Sequence, residues 1–375
     1  MPECSAQNAV ASDNGSAQLG SVSELRDRWH GRGAASNPPN RFRRLVLEPD
    51  ADWNPAQDSA PATQFLLDRS QSIISCNDSP DLGFSASLNP YRGCEHGCAY
   101  CFARPTHEHM GFSAGLDFET RIVVKDKAPE LLRREMASAR WQPQVLALSG
   151  VTDPYQPVER RLEITRRVLR ILAEFRNPVC LVTKNALVAR DRDVLADLAQ
   201  HRAAAVNLSI TTLDSDLARK LEPRATLPVH RLAAIRQLAQ AGVPVGVLVA
   251  PVIPGLTDHE IPSIIRAAAE AGAGWACTLM VRLPLAVGPL FTAWLEHHAP
   301  GLKDKVLGRI RAMRGGELND ARFRKRMRGE GVLAEQIAQL GRVARRRAGL
   351  ARESPELSIA AFRRPGGKQM EMNLG

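Results

Sequence analysis

From about Ser70 onward, apolar runs of strand length alternate with segments whose apolar residues recur at helical spacing. Ser85 to Leu88, Val145 to Ser149, Pro178 to Thr183, Ala205 to Ile210, Val243 to Val252 and Trp275 to Val281 read as six strands. Helical segments lie between them. In one, Leu162, Leu169, Leu172 and Phe175 mark a single face; others run from Val188 to Ala199 and from Val229 to Ala241, the latter stopping at Gly242. Thr257-Asp258-His259-Glu260 reads as a capping box opening a helix that Gly272 closes, and Leu290 to His297 ends the series. Strands that read as nearly continuous apolar runs are expected to lie parallel with both faces covered. Right-handed crossovers wind such a sheet into a barrel or part of one. The expectation is an α/β fold, a partial (β/α)6 barrel, with its chemistry at the C-terminal ends of the strands.

The flanks have a different texture. The first thirty-odd residues are rich in Ser, Ala, Gly and Asn, and the first twenty read as disordered. Gly31 to Leu45 carries too much Pro and Gly for a helix and reads as a surface-hugging arm, with a basic contact strip as the alternative. Beyond His298 the chain turns helical and basic, with Asp304 to Met313 and Gly331 to Arg347 as helices. Arg345-Arg346-Arg347 at a helix end fits a solvated face that favours the helix dipole, and a phosphate contact is the sharper alternative. Phe362 to Gly367 is loop-like. The expected organisation is an irregular N-terminal arm over residues 1–69, a core over 70–300, a basic helical extension over 301–350 and a tail over 351–375.

Composition narrows the class. A chain of 375 residues suits one barrel-type domain with added ends. A net charge of +10 favours an anionic substrate or a nucleic-acid partner, although genomic base composition accounts for Arg-richness equally well. The opening residues have no apolar signal core, and no apolar run reaches membrane-spanning length. With seven cysteines, an odd number, a reducing cytoplasm is the natural setting. Cys180 and Cys277 lie in apolar runs and read as small core residues.

Three cysteines stand apart. Cys94, Cys98 and Cys101 fall in a C-x3-C-x2-C pattern on a glycine-bearing loop directly after the first strand. Three thiolates so placed can converge on one metal centre and leave a coordination position free for chemistry, with zinc or iron as the metal. His107 and His109 follow in the next connection and could complete a zinc site. The other strand ends are polar: Gly150-Val151-Thr152-Asp153 after the second strand, Lys184-Asn185 after the third, Asn207, Ser209 and Thr211 alternating on the fourth, and Pro251 to Gly255 after the fifth. Such groups suit a carboxylate, ribose hydroxyls and a flat ring.

Cys94, Cys98 and Cys101, with Tyr100 just before the third, resemble the C-x3-C-x-aromatic-C signature of the radical S-adenosylmethionine (radical SAM) enzymes. The region from about Leu82 to His298 resembles that family's core. Thr152-Asp153-Pro154, Thr183-Lys184 and Glu222-Pro223-Arg224 resemble its spore-photoproduct-lyase-like branch, often labelled DNA repair photolyase. Asn37 to Phe42 and Leu88 to Gly93 resemble a bacterial subfamily of that branch. The resemblance implies that the three cysteines hold a [4Fe-4S] cluster whose remaining iron binds S-adenosylmethionine. Reductive cleavage then yields a 5′-deoxyadenosyl radical that takes hydrogen from a substrate. It further implies Tyr100 near the adenine, Lys184 paired with the methionine carboxylate, and Ser209 and Thr211 toward the ribose. Pro251 to Ile253 would pack on the adenine, and Ser149, Gly150 and Thr152 would lie near the methionine amino group. An electron donor such as flavodoxin or ferredoxin is implied as partner, with nucleic acid a candidate substrate. One departure stands out. The photoproduct lyases carry a hydrogen-donating cysteine before the matching turn, where this chain has Gly150 and Val151, so their repair activity is not carried over.

Three function classes follow: a radical SAM enzyme, a metal-stabilised nucleic-acid-binding protein without catalysis, and an electron carrier that uses the cluster alone. A carrier needs no nucleoside pocket, so the polar strand ends favour the first.

Overall fold

The computed structural model describes residues 31–42, 61–148 and 150–365. Its strands are β1 (Gln64–Leu67), β2 (Ile74–Cys76), β3 (Ala86–Leu88), β4 (Tyr91–Arg92), β5 (Arg121–Val124), β6 (Leu146–Leu148), β7 (Val179–Thr183), β8 (Ala204–Ser209), β9 (Val245–Val252) and β10 (Ala276–Met280). The helices are α1 (Leu116–Thr120), α2 (Ala128–Ala137), α3 (Glu159–Leu162), α4 (Ile164–Phe175), α5 (Arg192–Gln200), α6 (Ser215–Leu221) and α7 (Pro228–Gln240). After them come α8 (Ile261–Glu270), α9 (Val287–His298), α10 (Lys303–Ala312) and α11 (Val332–Arg347).

One sheet runs in the order β10-β9-β8-β7-β6-β3-β2. From β3 to β10 every neighbouring pair is parallel. These are the six strands that the apolar runs mark, and each is followed by helix, so the expected α/β partial barrel is the fold observed. β2 pairs antiparallel with β3; Ile74 is half-buried and Ser75 and Cys76 are exposed, so no apolar run reveals it. The run Arg121 to Val124 becomes the centre of a small second sheet, β1-β5-β4.

Register sorts the strand residues onto two faces. Val179, Leu181, Val206, Leu208, Val245 and Val247 fall on one, are fully or almost fully buried, and join the main core with residues from α4, α5, α7 and α8. Each such burial contributes about 1.5–3 kcal/mol. Cys180, Val182, Asn207, Ser209, Gly246, Leu248 and Cys277 fall on the other. On that face Cys180, Val182, Leu248 and Cys277 are only half-buried. The expectation of a sheet covered on both faces is therefore corrected: helices cover the outer face, while the concave face stays partly open. Cys180 and Cys277 belong to the concave face and are not members of the core.

The capping box is also corrected. Thr257 makes no side-chain cap; its hydroxyl instead accepts from the Ile253 amide at 3.0 Å. The Glu260 carboxylate reaches away to Thr212 and the Leu213 amide, at 2.5 and 2.7 Å. Two groups that could have satisfied one another locally are claimed by the turns after β8 and β9.

The C-terminal extension guards the β10 edge. Ala351 forms a bridge with Trp275 and accepts from the Ala276 amide, and α11 packs on α8 and β10. An edge covered this way does not offer its open hydrogen bonds to another chain. Among the described residues no helix is long and apolar enough to cross a membrane.

Trp275 lies across the concave face. Its Nε1 donates to Asn207 Oδ1 at 2.8 Å, and a Cβ at Gly246 would stand 2.2 Å from its ring. Only glycine admits the indole there. Gly246→Ala is expected to cost about 1–3 kcal/mol through overpacking, read as a lowered thermal midpoint; an unchanged midpoint would show that the indole has room to move.

Candidate functional site

The loop after β3 carries Cys94, Cys98 and Cys101 as free thiols, the first two buried and the third half-buried. It is held from several sides. The Cys94 amide donates to Phe118 O and the Ala99 amide to Leu221 O, both at 2.9 Å. The Arg104 guanidinium, wholly buried, donates twice to Cys98 O, at 3.1 and 2.9 Å. It also donates to Ala114 O and Gly115 O, at 3.3 and 2.9 Å, and pairs with the buried Glu119 carboxylate at 2.5 Å. Glu119 in turn accepts from the Gly33 and Ala34 amides, at 2.9 and 2.8 Å. Residues 31–42 are thus an arm laid against this loop. The approach is so close that a Cβ on Gly33 would lie 1.5 Å from Gly97 O, and Gly97 itself has φ +65°.

Burial pushes all three thiols above their ordinary range, with the nearby Asp153 carboxylate adding to the effect at Cys94 and that of Glu222 at Cys98. Such thiols give up their protons when a cation takes the proton's place. The chemistry of the donor set, three soft sulfurs and no fourth, suits an iron–sulfur cluster that keeps one iron open. A single zinc ion draws its ligands to about 2.0–2.3 Å from one point, whereas a cluster takes each thiolate on a separate iron. Among the described residues, the three cysteines included, no three His, Cys, Asp or Glu side chains gather closely enough to hold a single ion. His107 packs between Phe112 and Phe118 with neither ring nitrogen hydrogen-bonded, and burial pushes it down to about 4. His109 is exposed against Phe42.

Opposite the loop, Lys184 extends from the end of β7 along the concave side. Its Nζ donates to Ser209 Oγ at 2.9 Å, Thr211 Oγ1 at 3.2 Å and Ala250 O at 2.8 Å, and pairs with Glu222 at 3.1 Å. Glu222 is buried and gathers more partners. It accepts from the Tyr100 hydroxyl, from Thr211 Oγ1 at 2.7 Å and from the buried Arg231 guanidinium. Arg231 also donates to Ser209 O and Thr226 O, at 2.8 and 2.7 Å. Burial alone would raise the Glu222 carboxyl, but Arg231 and Lys184 hold it far below the usual carboxylate range. Tyr100 is pushed the other way by burial and by Glu222.

A further carboxylate, the half-buried Asp153, follows β6. It accepts from Thr183 Oγ1 and the Lys184 amide, each at 2.7 Å, and meets His96 Nδ1 at 3.4 Å. Burial works to raise it, yet His96, Lys184 and Thr183 keep it below its ordinary value. His96 Nε2 lies 3.1 Å from Asn185 Nδ2. Asp153 therefore links the cysteine loop to the turn that aims Lys184.

Of the residues picked out from sequence, Tyr100, Lys184, Ser209 and Thr211 are drawn into one hydrogen-bonded cluster. Ile253 shares an apolar cluster with Tyr100, and Pro251 follows the carbonyl that Lys184, Ser209 and Thr211 all contact. Gly150 and Thr152 lie in another sector. Gly150 sits beside Asn89, and Thr152 donates to Tyr91 O at 3.3 Å. Ser149 is outside the described residues. Reading the sequence did not select Glu222, Arg231, Asp153, His96, Asn185 or the Arg104–Glu119 pair as site residues. Two of these, Asp153 and Glu222, sit in the short motifs noted above, and those motifs were the available signal.

A parallel β/α sheet with three thiols on the loop after its first parallel strand, facing a polar rim, defines a class, and comparison with known proteins agrees with it. The Radical SAM superfamily model matches residues 88–268. That stretch, a little under half of the chain, matches the radical SAM domain, the domain of a superfamily of enzymes. An uncharacterized protein of Mycobacterium tuberculosis is 37% identical over 223 residues, covering 59% of this chain and 66% of that protein, just short of two thirds of its length. The radical SAM Nα-GlyT isomerase of Pseudomonas phage M6 is 24% identical over 214 residues, covering 53% and 42%. Among solved structures, a spore photoproduct lyase variant shares the fold with a TM-score of 0.50 at 15% identity, over 76% of this chain and 80% of that one.

Because Glu222 is depressed in the folded state, its contribution to stability is full above its ordinary value of 4.5 and fades as pH falls below it. Glu222→Gln should cost about 3–5 kcal/mol at neutral pH by stranding Arg231. In urea melts from pH 7 to pH 3, wild type should lose stability below about pH 4.5 more steeply than the variant. Parallel acid curves would refute this account of the cluster.

Proposed function

We propose that this protein uses Cys94, Cys98 and Cys101 to hold a [4Fe-4S] cluster and binds S-adenosylmethionine against the rim formed by β6 to β9. When bound, these groups supply one-electron cleavage of the sulfonium to methionine and a 5′-deoxyadenosyl radical for hydrogen abstraction. The observation that carries the reading is the juxtaposition of three thiols, two buried and one half-buried, with the Tyr100–Lys184–Ser209–Thr211 cluster at the same strand ends. A carrier of electrons has no use for that cluster.

Each residue has a physical task. Arg104 and Glu119 fix the loop so that the thiols are presented together. Asp153, by accepting from the Lys184 amide, fixes the turn from which the ammonium extends. Lys184 has its three N–H donors engaged within the protein, so taking a ligand carboxylate requires it to release Ala250 O or a hydroxyl. Those freed groups then become available to the ribose. Tyr100 and Ile253 offer the apolar surface for the adenine beside Pro251. The turn at Gly150 and Thr152, together with Ser149, is assigned to the methionine amino group.

The branch assignment to the spore-photoproduct-lyase-like enzymes, a flavodoxin or ferredoxin as reductant, a nucleic-acid substrate and a reducing cytoplasm belong to this proposal. Photoproduct repair does not: Gly150 and Val151 stand where the donor cysteine would be.

Anaerobically reconstituted protein is expected to show brown cluster absorbance and, with dithionite and S-adenosylmethionine, to release 5′-deoxyadenosine. Cys98→Ala should abolish that release, and protein that takes up zinc and never forms the cluster would overturn the proposal. Lys184→Met should weaken S-adenosylmethionine binding at least tenfold in equilibrium dialysis while the cluster absorbance persists; unchanged affinity would remove Lys184 from the site.

A further inference from the structure

Past the end of β10, among the described residues, two arginines are buried or half-buried with no carboxylate in ion-pair contact. Arg282 is half-buried, and its guanidinium has a single hydrogen-bond partner, the thioether of Met327 at 3.5 Å, while its Nε has none. Arg314 is 5% exposed and donates through Nη2 to Val281 O at 2.6 Å and Arg326 O at 3.1 Å, leaving Nη1 unpartnered. The nearby Asp81 carboxylate is already paired with Arg326 at 2.5 Å. Among the described residues neither Arg282 nor Arg314 forms an ion pair. Burial, with repulsion from Arg326 and Arg314, lowers Arg282 to about 10 against the pull of Asp81; burial lowers Arg314 against the pull of Asp320, which is itself paired with Arg322 at 2.7 Å.

Buried polar groups are nearly always hydrogen-bonded, and an unpaired buried charge costs several kilocalories per mole. An arrangement this costly calls for an absent partner, and the partner's chemistry follows from the donors. Planar guanidinium forks match oxyanions in pairs. The location is equally telling. Arg282 lies two residues past β10, on the rim where the other strand ends meet, and stacks at 4.9 Å on Phe102, the residue directly after Cys101. Phe102 is 45% exposed and Arg282 half-buried, so the spot borders solvent, with Arg282 Nε and Arg314 Nη1 lying beneath that surface.

We infer that Arg282 and Arg314 form an oxyanion subsite that binds a phosphate group of the substrate, with the face of Phe102 beside it. Its role in substrate binding rests on the radical SAM reading; its existence as a phosphate site does not. The subsite anchors the substrate's anion at the edge of the barrel mouth and leaves the hydrogen to be abstracted free to point toward the cysteine loop.

The test uses the full chain and inorganic phosphate, compared with chloride at equal ionic strength. Calorimetric titration should show saturable binding, and phosphate should raise the thermal midpoint. Arg282→Met should weaken that binding at least tenfold and abolish the phosphate-dependent rise, while its own midpoint in chloride stays level or increases, because a buried unpaired charge has been removed. Arg282→Lys keeps a charge but loses the fork and should bind at least threefold more weakly, which decides the matter should the methionine variant fold poorly. Arg236→Gln, an exposed arginine on α7, should respond like wild type. No saturable phosphate binding in wild type, or unchanged affinity in the folded Arg282 variants, overturns the inference. Displacement of phosphate by a short oligodeoxynucleotide assigns the anion to a nucleic-acid backbone; displacement by phosphate monoesters alone assigns it to a small molecule. Release of 5′-deoxyadenosine by wild type is measured separately. Cleavage without phosphate binding defeats this inference alone, and phosphate binding without cleavage defeats the radical SAM reading alone.

Discussion

The carboxylate of Glu222 is the interaction on which the site's geometry depends. It is buried, and it meets Tyr100 from the cysteine loop, Lys184 from β7, Thr211 after β8 and Arg231 from α7. An isolated carboxylate in that position would cost more than folding could recover. Two cations and two hydroxyls offset the cost, and their number has a structural consequence. Each partner arrives on a different element, so satisfying Glu222 sets the relative positions of all four. The rim is organised by one buried anion, and the sheet below supplies the framework.

The cysteine loop follows the same logic from its other side. Arg104 and Glu119 form a fully buried pair, and each spends its remaining capacity on backbone: Arg104 on the Cys98 carbonyl, Glu119 on the amides of Gly33 and Ala34. Asp153 bridges His96 and the Lys184 turn. Buried ion pairs of this kind are weak sources of stability, because desolvation consumes much of the attraction. Their value here is positional, as groups that cannot be left unpaired hold a short loop in one arrangement. Arg282 and Arg314 depart from this pattern. Among the described residues no carboxylate pairs with either, and that sets them apart from buried Arg104 and Arg231.

Much of the fold was legible beforehand because the signal was local. Apolar runs such as Val179 to Thr183 and Val245 to Val252 identify strands whatever lies around them, and glycine or helical spacing marks the segments between. β2 was not legible, since Ile74–Cys76 has neither length nor pattern and becomes a strand only because β3 offers it an edge. The Thr257–Glu260 box misled for a related reason. A local hydrogen-bonding pattern competes with distant partners, and here Ile253 and Thr212 prevailed. Likewise Cys180 and Cys277 sit in apolar runs, yet strand parity places them on the concave face, a distinction that requires the register.

Sequence by itself determined the parallel β/α alternation and the three-thiol loop after its first parallel strand, together with the polar character of the strand ends, because periodicity and spacing are properties of neighbouring residues. Tertiary structure alone decided which polar groups meet. Glu222 lies 122 positions from Tyr100, Glu119 lies 86 from Gly33, and Arg282 lies 45 from Met327. Contacts over such separations depend on the register of the sheet and on what remains unsatisfied once the core has packed. That is why the three thiols could be read from the chain, while the charges that position them, and the two arginines left without an ion pair among the described residues, could not.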